Sequence, residues 1–126
     1  MDPDKYEVTA RALSDHWGVQ PREAEEARDD RALLLDAIQE RVVDLIHRDF
    51  DKLRTALYRL DVPEDRYKAA WNQPGLEAKA RAIAELILER ETEKAALWVK
   101  HAREQRVRQA ALDDNEPNKE LPDASE

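Results

Sequence analysis

The chain has no cysteine, which excludes disulfides, thiolate metal sites and cysteine nucleophiles. It has only two glycines, Gly18 and Gly75, in unrelated contexts. They leave nothing from which to build a glycine-rich phosphate loop, and too few turn residues for an all-β fold. Aromatic residues are scarce, with one Phe, three Tyr and three Trp, so any core must be aliphatic. No apolar run approaches the roughly 20 residues that a bilayer span needs, and the first residues show no basic-then-apolar leader. The expectation is a cytoplasmic protein without a membrane segment. Hydroxyl nucleophiles are confined to Ser14, Ser125, Thr9, Thr55 and Thr92, and none has a histidine at a spacing that suggests activation. Neither enzymatic activity nor a cofactor is expected.

What is abundant is helix-forming material and charge. Ala, Leu, Glu and Arg dominate, residues that lose little side-chain freedom in a helix, and 126 residues make one domain. The fold class is therefore all-α. The formal net charge of −8 is carried by the ends. Residues 1–30 hold nine acids against four bases, and residues 113–126 hold six acids against Lys119. The middle is slightly basic and carries nearly all the heptad-spaced aliphatic residues. The organisation expected is an acidic N-terminal arm with a short helix (1–30), a helical core (31–112) and a disordered acidic tail (113–126).

Periodicity places the helices. Tyr6, Ala10, Leu13 and Trp17 form one stripe ended by Gly18, which predicts a helix over 4–17. Pro21–Asp30 is acidic without an apolar face and reads as a helical lead-in or a linker. Leu35, Ile38, Val42, Leu45 and Ile46 mark the next face, and Phe50, Leu53, Leu57 and Leu60 continue it almost in phase. Asp49 is a capping residue within that run, so a break near 48–50 is favoured over one helix from 31 to 60. Pro63 opens a short helix to Trp71, and Asn72-Gln73-Pro74-Gly75 is the clearest loop. Nothing interrupts the pattern from Leu76 to Leu112. The predicted fold is a small bundle of about four helices, 4–17, 31–60, 63–71 and 75–112, the last spanning about 57 Å at 1.5 Å per residue. Its expected core is Leu35, Ile38, Val42, Leu45, Ile46, Leu53, Leu57, Leu60, Leu76, Ile83, Leu86 and Ile87.

Three constellations invite functional readings. Asp44-x-x-His47, with Glu40 one turn earlier, resembles half of a carboxylate-bridged metal site, but no second half exists: Trp98 precedes His101 at that spacing and Leu13 precedes His16. No metal is expected, and His47 reads as a surface residue paired with Asp44 or Asp51. Residues 14–24 have the cadence of a helix-turn-helix, but the supposed recognition helix would bring Glu23, Glu25, Glu26, Asp29 and Asp30 to a phosphate-lined groove, the wrong sign for binding. Residues 94–108 are the one basic segment: Lys94, Lys100, Arg103, Arg106 and Arg108 against Glu104, with Trp98 and His101 interleaved. Such a helix fits an acidic protein or a nucleic-acid backbone, while the plainer reading is that its cations complement the helix C-terminus.

Leu57-Tyr-Arg-Leu-Asp-Val-Pro-Glu, preceded by Asp49-x-x-x-Leu53, together with Ile83-Ala-Glu-Leu-Ile-Leu-Glu-Arg, resembles small uncharacterised bacterial all-helical proteins with an LYR-x-DV segment. The resemblance covers about half the chain. It implies a bacterial cytoplasmic source and no catalytic chemistry. Leu57 and Leu60 then read as core, Asp61-Val62-Pro63 as a helix corner, and Tyr58 and Arg59 as surface or partner-facing residues.

The functional expectation is a non-enzymatic protein-interaction module of regulatory or adaptor type. Its partner-binding residues would be Tyr58, Arg59, Trp98, Lys100, Arg103 and Arg106; nucleic-acid binding through 94–108 is the alternative. Beyond Arg90 the long helix still carries Leu97, Trp98, Val99, Val107 and Leu112, so something should shield Trp98. The stripe of Tyr6, Leu13 and Trp17 could fold back over it, but the expectation favoured is an antiparallel homodimer.

Overall fold

A computed structural model describes residues 4–115, which form six α-helices and no strand among the described residues. They are α1 (Lys5–Trp17), α2 (Pro21–Glu26), α3 (Arg31–Arg48), α4 (Phe50–Arg59), α5 (Glu64–Trp71) and α6 (Leu76–Asn115). The all-α class and the long last helix are as expected; the count of about four is not. Two local causes raise it. Pro21 sits at the start of α2, where its missing N–H costs nothing, so the acidic stretch makes a short helix with Ala24 buried and Ala27 buried just beyond it. Asp49 divides the next run. Its N–H donates to the Leu45 carbonyl at 2.8 Å, ending α3, and its Oδ1 accepts from the Lys52 N–H at 3.1 Å, starting α4.

The same capping chemistry sets the other boundaries. Asp4 and Asp30 cap α1 and α3 by accepting from the N–H groups of Glu7 and Leu33. Gly18, at φ 74°, closes α1 by donating to the Ser14 carbonyl. Asp61 takes the equivalent left-handed position after α4, at φ 64°, and the Val62 N–H reaches back to Leu57 in a Schellman arrangement. The expected corner at 61–63 is thus a helix stop with a defined hydrogen-bond pattern. The expected tail from Asp113 begins too early, because α6 runs to Asn115; the rest of that tail, 116–126, lies outside the described residues.

α6 is the spine, with α3, α1 and α5 packed along it. Leu13, Ile38, Val42, Leu53, Ile83 and Ile87 are the largest side chains wholly removed from water. Nine of the twelve expected core residues are buried; Ile46, Leu76 and Leu86 are only half-buried, at the edges of their stripes. Residues 5–27, expected as an acidic arm, contribute Ala10, Leu13, Trp17, Val19, Ala24 and Ala27 to the same core cluster. Their acids occupy the outward faces, which is why composition suggested a solvated arm.

Three cationic side chains tie helix ends to their neighbours. Arg41 Nε donates to the Trp17 carbonyl at 2.8 Å, Arg90 Nε to the Leu60 carbonyl at 2.9 Å, and Lys79 Nζ to the Trp71 carbonyl at 2.6 Å. Each satisfies a carbonyl that has no partner in its own helix and places positive charge at the negative end of that helix. Arg81–Asp36 and Arg66–Glu89 add ion pairs from α6 to α3 and α5.

Candidate functional site

On α6 the buried row Ala80, Ala84, Ile87, Glu91, Ala95 and Val99 advances by three or four residues and is apolar except at Glu91. Glu91 is 2% exposed, and such a carboxylate needs donors. The end of α1 supplies them. Trp17 Nε1 donates to Glu91 Oε2 at 2.8 Å, and His16 Nδ1 lies 3.1 Å from the same oxygen, to which it donates when the proton is on Nδ1. Trp17 is itself buried, whereas the His16 side chain is 62% exposed. Trp17 is fixed twice, through its indole to α6 and through its carbonyl to Arg41 of α3.

The arrangement depends on Gly18. A Cβ there would lie 2.8 Å from Arg41 Nε, and the φ of 74° is one that side-chain-bearing residues rarely adopt. Asp44 holds Arg41 from the other side through an ion pair to its Nη1, and also pairs with Arg48 at 2.9 Å. Both oxygens of Asp44 are engaged by arginines, and His47, exposed one turn along, pairs with neither Asp44 nor Asp51, the two partners expected for it. Among the described residues no group of three or more His, Asp or Glu is placed to hold a metal ion.

Glu91 and His16 line a groove of about 710 Å³ between the end of α1, α4 and α6. Lys52, Thr55, Ala56 and Arg59 face it from α4, sharing one side of that helix by their three- and four-residue spacing. Asp15, Asp49, Asp51 and Lys94 complete its charged rim. That volume is in the range of small-molecule sites, and the mixed charge suits a ligand carrying both signs.

The six residues expected to bind a partner are dispersed. Arg59 lines the groove, with its carbonyl 3.5 Å from Lys94 Nζ, and Trp98 lies one turn beyond Lys94 on α6. Tyr58, 84% exposed, lies on the other side of α4, lining a second groove with Arg54, Leu57, Val62 and Tyr67. Lys100 is turned by about 160° from Trp98 and Arg103 by about 140°, so neither shares its face. Arg106 is exposed two turns beyond Trp98. No single patch gathers them. α1 packs against α6 yet leaves Trp98 54% exposed, and every residue from Arg103 to Asp113 is exposed.

The pairing of His16 and Trp17 with Glu91 was missed in the sequence. In the sequence His16 is set only against its own helical neighbour Leu13, and nothing near it points to Glu91. The available signal was the apolar row itself, in which a glutamate occupies a core position.

No protein-family model, curated protein or solved structure matches the chain. Among the described residues, no helix is long and apolar enough to cross a membrane.

Proposed function

We propose that the chain is a non-enzymatic helical interaction module that acts as a homodimer, with the projecting part of α6 as its contact element. One observation carries this reading: α6 continues well past the body with Leu97, Trp98, Val107 and Leu112 exposed. Large apolar side chains gathered on one free helix gain most by packing against another protein surface. A second copy supplies complements in a single partner. It offers the same apolar residues, and the exposed acids Glu23, Glu25, Glu26, Asp29 and Asp30 to meet the basic segment 94–108.

Light scattering on the purified chain at high micromolar concentration tests this. A dimer that Trp98→Glu converts to a folded monomer supports it, and a strictly monomeric wild type sinks it. A mobility shift with nucleic acid at low salt that Arg103→Glu with Arg106→Glu abolishes would transfer the function to the basic segment instead.

A further inference from the structure

The hydrogen bonds of Glu91 are lopsided. Both of its donors, Trp17 Nε1 and His16 Nδ1, meet Oε2, while Oε1 accepts no bond from any described residue. A carboxylate oxygen removed from water and left without a donor is an uncommon expense in a folded chain. Glu91 lines the groove, which therefore offers the route by which a donor reaches it. Across the groove, the side chains of Lys52 and Arg59 on α4 make no hydrogen bond or ion pair with any described residue. One wall thus presents a buried acceptor, with Asp15 near it on the rim and Lys94 one turn along α6, and the other presents two free cations beside Asp49 and Asp51 at the start of α4.

We propose that this groove binds a small zwitterion of the amino acid or short-peptide class. The ligand's ammonium donates to Glu91 Oε1, and its carboxylate is held by Arg59 and Lys52. Each end forms charge-assisted hydrogen bonds, the guanidinium of Arg59 being suited to a carboxylate by its planar pair of donors. Trp17 and His16 act as positioning residues: by occupying Oε2 they fix the carboxylate so that Oε1 is the oxygen left for ligand. The site is separate from the projecting end of α6 and does not depend on the proposed dimer.

The test is a titration of the 15N-labelled full chain followed by NMR, with dialanine as the zwitterionic probe and propylamine and propionate as single-charge controls. The indole signals of Trp17, Trp71 and Trp98 report separately, and only Trp17 touches Glu91. Dialanine is expected to move the Trp17 signal saturably and leave the other two in place, while either control at equal concentration moves it far less. Arg59→Ala, at an exposed position, should keep the wild-type melting temperature and raise the half-saturating concentration about tenfold, the equivalent of one charge-assisted pair. Glu91→Gln retains an acceptor for Trp17 and should also weaken binding. A Trp17 signal unmoved by dialanine, an equal response to propionate, or unchanged binding by the Arg59 variant would each overturn the proposal.

Discussion

The indole N–H of Trp17 lies 2.8 Å from the carboxylate of Glu91, joining the end of the first helix to the middle of the last across 74 positions of sequence. This bond accounts for a charge in the core and for the docking of α1. Trp17→Phe keeps most of the apolar volume and removes the donor, leaving His16 as the one remaining partner, among the described residues, of a buried carboxylate. The expected loss is about 1–3 kcal/mol. Glu91→Leu in the Trp17→Phe background should recover part of it, since removing both polar partners is far less harmful than removing one. Thermal melts of the two single variants and the double variant measure the coupling.

Gly18 is confined by two independent constraints, a left-handed backbone and the guanidinium of Arg41 against the place where a Cβ would stand. Gly18→Ala should therefore destabilise the fold by about 1–2 kcal/mol from the backbone alone. Arg41→Ala relieves the close approach and also removes the cap on the Trp17 carbonyl. The double variant should accordingly lose less than the two single losses added together, as denaturant melts would register.

Asp49 serves two helices at once, one through its backbone and one through its side chain. Asp49→Ala keeps the backbone bond that ends α3 and loses the side-chain acceptor that starts α4. A loss of about 1 kcal/mol is expected. Asp49→Ser, which retains a capping oxygen, should stay close to wild type in the same denaturant melt.

Burial ranks the core substitutions. Ile83, on α6, is wholly buried in the core cluster, and Ile83→Asp places an unpaired carboxylate where no water reaches it, at a cost of several kcal/mol, comparable with the stability of a whole domain. Ile46 is half-buried at the edge of α3, so Ile46→Asp can turn its charge toward solvent and should leave a cooperative, lowered melt. Circular dichroism distinguishes the two: loss of the folded baseline at 25 °C for the first, a shifted transition for the second. Equal behaviour of both variants would contradict this ranking.

How far the fold could be read in advance follows the range of the forces involved. Asp49, Asp61, Pro63 and Gly18 act within a few residues through caps and left-handed stops, and each was visible as punctuation between apolar stripes. The stripes of α3, α4 and α6 were visible too, because period alone reports a buried face. Residues 21–27 carry no sign in the sequence of belonging to the body, since a six-residue helix whose buried side chain is Ala24 gives almost no periodic signal. The Glu91 site was hidden for a different reason. Its three members come from two segments 74 and 75 positions apart, and only their packing makes a partner of one for the other. The divergence of Tyr58 from Arg59, and of Lys100 from Trp98, shows the converse, that residues close in sequence on one helix point to different sides.

The exposed end of α6 separates stability from association. Trp98 contributes little to the body, being more than half exposed, so Trp98→Glu should change the unfolding free energy of the monomer by no more than about 0.5 kcal/mol. The proposed dimer, by contrast, loses a large aromatic from its contact and gains a buried charge, so association should weaken by at least about tenfold, or 1.4 kcal/mol. Sedimentation equilibrium gives the second quantity, and a chemical melt below the dissociation concentration gives the first. If Trp98→Glu lowered both together, Trp98 would belong to the folded body, and the projecting helix would not be the contact element.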